Sequence, residues 1–277
     1  MNTGIIATGY VGRTLSTLLA RTGHRTYCID VIPEKIDIIK TGKSYFYELG
    51  LDNLVKYGID SGNLIPTLDY EEGLKDADVV FLCVGTPSGH DGGLDLTYIF
   101  DAVEKAAKYV KDGVIFVQRS TVPVGTGREA IRLMKEVNPD LKFTYLSCPE
   151  YLREGAAVLD SIIQDRIVIG GDDKKAAGKI FDLFEKIEKE AEEICSETPE
   201  ISQYANAYMK NNNHKDTNFG DKCMIMCLES AELVKVCSNT FLAMKISFAN
   251  NIARICDSVD ANVNEVMDGV EIGRAHV

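Results

Sequence analysis

Short apolar runs alternate with longer helical stretches along this chain, and no other feature restricts its fold as strongly. The short runs are rich in Val, Ile, Leu and Phe, and the stretches between them carry apolar residues at helical spacing. Such alternation is typical of parallel strands joined by helices, and strands buried on both faces are continuously apolar. The pattern therefore predicts an α/β fold with a doubly wound, mostly parallel sheet.

The same patterns set approximate bounds for the elements. Predicted strands cover residues 4–7, 25–30, 79–84, 114–117, 143–147, 166–169 and 223–227. Predicted helices cover residues 11–22, 97–110, 126–137 and 174–193, and a long helix extends from residue 230 to about 257. The polar residues of about 190–221 are interpreted as a loop or loosely helical insertion. The long last helix is expected to connect two lobes.

Composition limits the classes of partner. The 277 residues are 45% apolar, which is enough for a packed core, and they carry a formal net charge of −12. With no basic run longer than Lys174-Lys175, we expect neither nucleic acid nor a membrane surface as partner. No apolar run reaches spanning length and the first residues lack a signal pattern, which predicts a cytoplasmic protein with reduced cysteines.

The turn Ala7-Thr8-Gly9-Tyr10-Val11-Gly12 follows the first predicted strand and opens a helix. In a Rossmann-like fold such a turn lets the backbone approach a pyrophosphate and points the helix N-terminus at it. Asp30 ends the second predicted strand, where a carboxylate binds ribose hydroxyls and favours NAD over NADP. Ala7 stands where a glycine is usual, and the turn alone also fits another α/β fold.

Three further turns follow predicted strands. They contain Gly85-Thr86-Pro87, Ser120-Thr121-Val122-Pro123-Val124-Gly125 and Pro149-Glu150-Tyr151-Leu152-Arg153-Glu154-Gly155. Each alone could be ordinary turn chemistry, because Gly, Pro, Ser and Thr populate loops. Together with the first turn they lie at the carboxyl edge of the sheet, where open α/β sheets bind ligands. The sequence therefore predicts a binding site at this edge.

Two pairs of polar residues suggest a reaction centre. Glu150 and Glu154 lie four residues apart after a predicted strand, and Lys235 and Asn239 lie four apart on the long helix. Residues at this spacing share one helical face, so we expect each pair to point to one side.

These stretches are similar to those of the nucleotide-sugar dehydrogenases, the UDP-glucose/GDP-mannose dehydrogenase family. The resemblance extends to about Val270 and rests also on Asp91-Gly92, Asp95-Leu96, Asp165 to Gly170, Ala231-Glu232-Leu233, Ser238-Asn239 and Lys245 to Phe248. It implies oxidation of a sugar C6 alcohol to a carboxylate with two NAD, as in the conversion of UDP-glucose to UDP-glucuronate. The implied intermediates are an aldehyde, a thiohemiacetal and a cysteine thioester.

The resemblance also implies the site residues. Residues expected to bind NAD are Gly9, Tyr10, Val11, Gly12, Asp30, Lys35, Thr86, Thr121 and Glu154. Residues expected to bind the nucleotide sugar are Glu150, Tyr151, Leu152, Arg153, Glu154, Lys235 and Asn239. The expected catalytic residues are Thr121, Glu150, Lys235 and Asn239.

The chemistry explains these residue types. Hydride loss from an alcohol also requires loss of the hydroxyl proton, and a cation and an amide such as Lys235 and Asn239 can stabilise the oxyanion that develops. Hydrolysis of a thioester requires an activated water, for which Glu150 can act as base while Thr121 orients the water.

The resemblance further implies the domain organisation. Residues 1–228 are expected to form the NAD-binding domain, and residues 229–270 to begin a central helical domain that makes a homodimer in the full-length protein. The nucleophilic cysteine and the UDP-binding domain of the family would follow, and residues 271–277 depart from the family pattern. We therefore expect an N-terminal fragment with a non-native tail that does not turn over substrate.

Other interpretations stay open. A β-hydroxyacid-type dehydrogenase also has the Lys-to-Asn spacing, and a non-catalytic NAD-binding protein would need no nucleophile. Cys223 and Cys227 lie on one side of a predicted strand, but no second ligand pair lies at suitable spacing, so we predict no metal and interpret them as buried thiols. His24, His90, His214 and His276 fall outside the motifs and are interpreted as surface or turn residues.

Overall fold

The computed structural model describes residues 1–89, 92–197, 201–202 and 218–270. Its centre is an eight-stranded sheet with the strand order β3-β2-β1-β4-β5-β6-β7-β8. The strands are β1 Asn2–Ile6, β2 Arg25–Ile29, β3 Leu64–Thr67, β4 Val79–Leu82, β5 Val114–Gln118, β6 Phe143–Ser147, β7 Ile167–Gly170 and β8 Cys223–Met226. All neighbours run parallel except β6 and β7, which pair antiparallel at Ser147 and Gly170.

Helices connect most of these strands. They are α1 Tyr10–Arg21, α2 Pro33–Lys40, α3 Leu51–Asp60, α4 Tyr70–Leu74, α5 Thr97–Ala106, α6 Thr126–Val137, α7 Ala157–Ile162, α8 Lys174–Lys189, α9 Ala191–Ser196, α10 Leu228–Val259 and α11 Val263–Val270. No helix in the described ranges is long and apolar enough to cross a membrane.

The sheet separates two apolar cores. In β4, Val79 and Phe81 pack in one core with α1, α3 and α8, while Val80 and Leu82 pack in the other with α5 and α6. Because successive side chains of a strand point to opposite faces, a run that is apolar at every position requires helices on both sides. The cores confirm the predicted doubly wound α/β fold.

The structure corrects several predicted elements. The edge strand β3 was not predicted, because it is short and contains Pro66, which a central strand would not tolerate. The helix predicted for residues 174–193 ends at Lys189, and α9 follows after Glu190. Of the polar insertion, residues 198–200 and 203–217 lie outside the described part.

The interpretation of Cys223 and Cys227 as buried thiols was wrong. Cys223 is only partly buried, and Cys227 lies beyond the end of β8 and is exposed. In the described residues, no group of His, Cys, Asp and Glu side chains could hold a metal ion. All eight cysteines lie in the described ranges as free thiols.

The chain divides into two compact units, Met1–Leu233 and Val234–Val277. The first unit contains the sheet and the first residues of α10. The second contains the rest of α10 and α11. The expected boundary between residues 228 and 229 stays a prediction.

Candidate functional site

The turn after β1 has the backbone shape that a dinucleotide site requires. The Ala7 amide donates to the Ile29 carbonyl at 2.8 Å, and Ala7 itself has a φ of 71°, in the left-handed region that favours glycine. A Cβ at Gly12 would lie 2.0 Å from the Ala7 carbonyl oxygen, so α1 can begin this close to the strand only with glycine there. A Cβ at Gly9 would meet nothing within 4 Å, which leaves its backbone accessible.

Asp30 lies directly after β2, beside this turn, and is 5% exposed. Its Oδ2 atom accepts hydrogen bonds from the Thr8 amide at 2.8 Å and the Thr8 hydroxyl at 2.6 Å. The Lys35 Nζ atom lies 3.5 Å from the same oxygen. Burial acts to raise the pKa of Asp30, but the Thr8 hydrogen bonds and the Lys35 charge outweigh it and lower the pKa. Asp30 is therefore an anion at neutral pH, which suits ribose hydroxyls and disfavours a ribose phosphate.

Tyr45 covers the turn from the loop between α2 and α3. Its hydroxyl donates to the Thr8 carbonyl at 2.6 Å. The Lys35 ammonium lies 5.3 Å from the centre of its ring, and the Arg13 guanidinium lies 5.0 Å from it. Lys35 is thus held at the turn by both Asp30 and an aromatic ring. No sequence pattern pointed to Tyr45.

The turns after β4 and β5 are bonded to each other. The Thr86 hydroxyl donates to the Thr121 carbonyl at 2.8 Å, and the Ser120 hydroxyl donates to the Val84 carbonyl at 2.7 Å. Because β4 and β5 are neighbours in the sheet, their carboxyl ends bring Thr86 and Thr121 together. This edge also holds the turn after β1, which pairs with β4.

The segment after β6 is a loop, so the expectation that Glu150 and Glu154 share a face was wrong. Glu150 is half-buried and its Oε2 atom accepts from the Leu152 amide at 2.6 Å, whereas Glu154 is exposed. A helical face needs helical backbone, and here α7 begins only at Ala157.

The remaining loop residues bind to neighbouring side chains. The Arg153 guanidinium lies 2.6 Å from an Asp160 carboxylate oxygen, and the Arg166 guanidinium lies 4.1 Å from the centre of the Tyr151 ring. These contacts tie the loop to α7 and to the residue before β7. Leu152 is half-buried.

The loop also contacts the turn after β1. The Gly155 amide donates to the Tyr10 hydroxyl at 2.7 Å. That hydroxyl lies 2.5 Å from a carboxylate oxygen of Glu48, a buried residue of the loop between α2 and α3. No sequence pattern pointed to Glu48, because its loop has no periodicity.

Two thiols lie near the site but are poor nucleophiles. Cys83 and Cys148 are buried, and burial raises the pKa of Cys83 to about 12 and also raises the pKa of Cys148. The Arg119 guanidinium donates to the Cys148 carbonyl at 3.0 Å and lies 3.2 Å from its sulfur. A thiol needs its thiolate form to attack, so neither is suited to covalent catalysis.

Lys235 and Asn239 belong to the second compact unit. They lie four residues apart in α10 and so share one face of this helix. Their expected cooperation with Glu150 stays a prediction.

Glu232, in the first unit, is buried and accepts hydrogen bonds from the backbone amides of Gly125 and Gly127, each at 2.7 Å. It therefore caps α6 and fixes the end of the turn that contains Thr121.

The interpretation of His24 as a surface or turn residue was only partly right. His24 follows the turn after α1, but its ring is buried. It lies at the amino end of β2, whereas the site lies at the carboxyl ends of the strands. His90, His214 and His276 lie outside the described residues.

The comparisons agree with this geometry. Residues 1–188 match the NAD binding domain of the UDP-glucose/GDP-mannose dehydrogenase family, and residues 229–275 match the central domain of the same family. The chain is 36% identical over 271 residues to the UDP-glucose 6-dehydrogenase YwqF of Bacillus subtilis (strain 168), across 98% of this chain and 54% of that protein.

Solved structures are also similar. A ternary complex of GDP-mannose dehydrogenase from Pseudomonas aeruginosa has a TM-score of 0.80 and 31% identity, over 98% of this chain and 56% of that chain. A UDP-glucose dehydrogenase from Pyrobaculum islandicum has a TM-score of 0.82 and 30% identity over the same shares. The chain therefore spans about half the length of these relatives.

Proposed function

The chain belongs to the UDP-glucose/GDP-mannose dehydrogenase family, and we propose that it supplies the NAD-binding part of a nucleotide-sugar 6-dehydrogenase. NAD is the cofactor of this family, and residues 1–188 correspond to its NAD-binding domain. One observation carries the proposal: the turns after β1, β4 and β5 and the loop after β6 lie at one edge of the sheet, joined by hydrogen bonds. Family membership favours this function over a β-hydroxyacid dehydrogenase.

The residues of the turn fit NAD. The accessible backbone of Gly9 and the N-terminus of α1 would hold the pyrophosphate, with Tyr10, Val11 and Gly12 shaping the turn. Asp30 would accept the ribose hydroxyls, exchanging its bond with the Thr8 hydroxyl for them, and Lys35 would hold Asp30 in place. We assign Thr86, Thr121 and Glu154 to the end of NAD that lies away from the ribose bound by Asp30.

The proposed reaction converts UDP-glucose to UDP-glucuronate. The alcohol and one water become a carboxylate, with the release of two hydrides and three protons. When bound, NAD would accept the hydride in each oxidation. Lys235 and Asn239 would stabilise the oxyanion, and residues 150–154 would line the sugar. Glu150 would take the proton from the water that hydrolyses a cysteine thioester, while Thr121 orients that water.

We assign the cysteine of this step to neither Cys83 nor Cys148. Cys83 and Cys148, the thiols beside the proposed site, are buried with raised pKa values. We propose that residues 1–277 bind NAD without oxidising a nucleotide sugar.

Titration calorimetry of the purified chain with NAD and NADP tests the cofactor site. We expect NAD to bind at least about tenfold more tightly than NADP, and Asp30→Asn to weaken NAD binding by about tenfold, the equivalent of one charge-assisted contact. Asp78→Asn is the matched control, since Asp78 precedes β4 at the opposite edge and binds Lys111. Equal binding of NADP, or no binding of NAD, would refute the proposal.

The absorbance of NADH tests the second part. With UDP-glucose and NAD present, residues 1–277 should produce no NADH. Production at an ordinary enzymatic rate would show that the chain contains its own nucleophile. NAD binding with no turnover also fits a non-catalytic NAD-binding protein, and binding of UDP-glucose to the NAD-loaded chain favours the dehydrogenase.

We also propose that the protein is a cytoplasmic homodimer formed through the central helix. In support, the second unit exposes the large apolar side chains Phe241, Leu242 and Met244 of α10, each more than half accessible. The free thiols fit a reducing compartment. Sedimentation velocity would detect the dimer when the parent protein is compared with its Phe241→Glu variant, and the Thr240→Glu variant is the control.

A further inference from the structure

The loop between α2 and α3 supplies a buried carboxylate that the proposed reaction does not use. Glu48 is 4% exposed. Its Oε1 atom accepts a hydrogen bond from the Ala157 amide at 2.8 Å, and its Oε2 atom accepts one from the Gly155 amide at 3.0 Å. Oε2 also accepts from the Tyr10 hydroxyl at 2.5 Å.

These donors come from distant parts of the chain. Tyr10 is the first residue of α1 and belongs to the turn after β1. Gly155 and Ala157 lie more than 100 residues further along the chain, at the start of α7. Gly155 has a φ of 85°, so the loop reaches Glu48 through a backbone shape that other residues resist. One carboxylate therefore bonds both the cofactor turn and the loop of Glu150 and Glu154.

The charge of Glu48 suits this position. A carboxylate accepts several hydrogen bonds at once, and charge-assisted bonds are shorter and stronger than neutral ones. Burial and the neighbouring Glu48 carboxylate raise the pKa of Tyr10, so its hydroxyl stays protonated and acts as a donor. Phe46, two residues before Glu48, packs on the Tyr10 ring with centroids 5.5 Å apart, which supports the same arrangement.

We propose that Glu48 is a positioning residue that fixes the loop of Glu150 and Glu154 against Tyr10, so that the cofactor site is assembled before NAD binds. The inference rests on the proposed function, because it assumes that the turn binds NAD. Glu48 itself touches neither cofactor nor substrate in this role. Without the Glu48 carboxylate, NAD binding would itself have to order the loop, and this cost would lower the affinity for NAD.

The test compares Glu48→Gln and Glu48→Ala in the full chain by amide hydrogen exchange of residues 150–160 and by NAD calorimetry. We expect Glu48→Ala to speed exchange at Gly155 and Ala157 and to weaken NAD binding by about tenfold, with a smaller effect for Glu48→Gln. Saturating NAD should restore protection in Glu48→Gln. A purely structural role would change the global unfolding free energy but would not give this NAD-dependent recovery.

Asp173→Asn is the matched control, since Asp173 accepts from the Lys175 and Ala176 amides and caps α8 away from the loop. It should change neither readout. Unchanged exchange in both Glu48 variants, or faster exchange with NAD affinity within twofold of the parent, would overturn the proposal. If Glu48→Ala does not fold, Glu48→Gln decides. Failure of the parent chain to bind NAD would instead refute the proposed function, while the exchange data would still decide whether Glu48 holds the loop.

Discussion

Ala7 occupies a backbone conformation that suits glycine. In the described residues, only Ala7 and Asp260 combine a positive φ with a side chain. For an alanine the left-handed region costs about 1 kcal/mol, partly offset because glycine loses more entropy on folding. We therefore expect Ala7→Gly to raise the free energy of unfolding by up to about 1 kcal/mol and to tighten NAD binding.

Urea denaturation and calorimetry of Ala7→Gly would measure both effects. Gly12→Ala is the informative opposite, because its Cβ would lie 2.0 Å from the Ala7 carbonyl and should destabilise the chain strongly. Lower stability of Ala7→Gly would contradict the conformational argument.

Arg13 carries a buried charge without hydrogen bonds. It is fully buried in α1, none of its guanidinium nitrogens finds a hydrogen-bond partner in the described part of the chain, and burial lowers its pKa. Replacing such a charge with an apolar side chain of similar volume removes a desolvation cost of several kcal/mol. Arg13→Leu should therefore stabilise the protein by about 1–4 kcal/mol in urea denaturation.

Arg21, on the same helix, provides the contrast. It is also buried, but its guanidinium pairs with Glu190, Glu193 and Glu197. Arg21→Leu would leave these carboxylates without their cation and should destabilise. Destabilisation by both substitutions to a similar extent would mean that contacts such as the one with the Tyr45 ring offset the desolvation cost of Arg13.

The site residues differ in how far the sequence predicts them. Asp30 could be predicted because its place at the end of a strand, about 20 residues after a glycine turn, follows from the fold. Glu48 and Tyr45 could not, because they reach the site from an irregular loop whose path depends on tertiary packing. The bond between Thr8 and Asp30 is likewise a tertiary contact, since the two residues meet only when β1 and β2 pair.

At the scale of elements, predictability follows burial. β4 and β5 are central and buried at every position, apolar except for Gln118 at the end of β5, and were predicted within two residues of their bounds. β3 pairs only with β2, so fewer of its residues need to be apolar and the pattern was too weak to detect. The break between α8 and α9 at Glu190 carries no glycine or proline, so no local signal marks it.

Glu232 connects α10 to the start of α6, so its removal should destabilise the contact between these two helices. Its carboxylate bonds the Gly125 and Gly127 amides at the start of α6, and a Cβ at Gly127 would lie 2.9 Å from a Leu228 side-chain carbon. Removal of a carboxylate leaves these amides unsatisfied, at about 1–3 kcal/mol. We expect Glu232→Ala to lower the free energy of unfolding by this amount and to speed amide exchange at Gly125 and Gly127.

A weaker cap is the suitable comparison for Glu232. Asp69 accepts from the Glu71 and Glu72 amides at the start of α4, and both of these hydrogen bonds are exposed. Asp69→Ala should cost only about 1 kcal/mol, because water can replace the lost bonds. Equal costs for the two variants would argue against a special role for the buried cap.

At the scale of the whole molecule, the strand order determines where the site forms. From β1 the chain proceeds outward to β2 and β3 and then returns to β4 on the other side of β1. The turns after β1 and β4 consequently diverge and leave a crevice at the carboxyl edge. Alternating strands and helices predict this fold, but they do not determine which loops close over the crevice.

The stability of the whole molecule should depend on pH through His24. Burial, with smaller contributions from the N-terminal ammonium and Lys186, lowers the pKa of His24 to about 4 in the folded protein. In the unfolded chain the ring takes up a proton near its ordinary pKa of about 6.5. Between these values unfolding binds a proton, so the free energy of unfolding falls as the pH falls from about 6.5 to 4, by on the order of 3 kcal/mol in full.

Urea denaturation of the parent chain and of His24→Gln at pH 7, 6 and 5 would measure this term. Among the described residues with shifted pKa values, the carboxylates have lowered pKa values, so their stabilisation is lost only in more acidic solution. The tyrosines and cysteines have raised pKa values and stay neutral here. His24 therefore dominates the pH dependence of stability between pH 7 and 5. His24→Gln keeps a neutral polar side chain that cannot be protonated, so its stability should change less over the same range. Because His24 lies at the sheet edge opposite the proposed NAD site, the substitution should leave NAD affinity at pH 7 unchanged. Parallel pH profiles for the two proteins would show that the His24 ring is protonated in the folded state and that the burial argument fails.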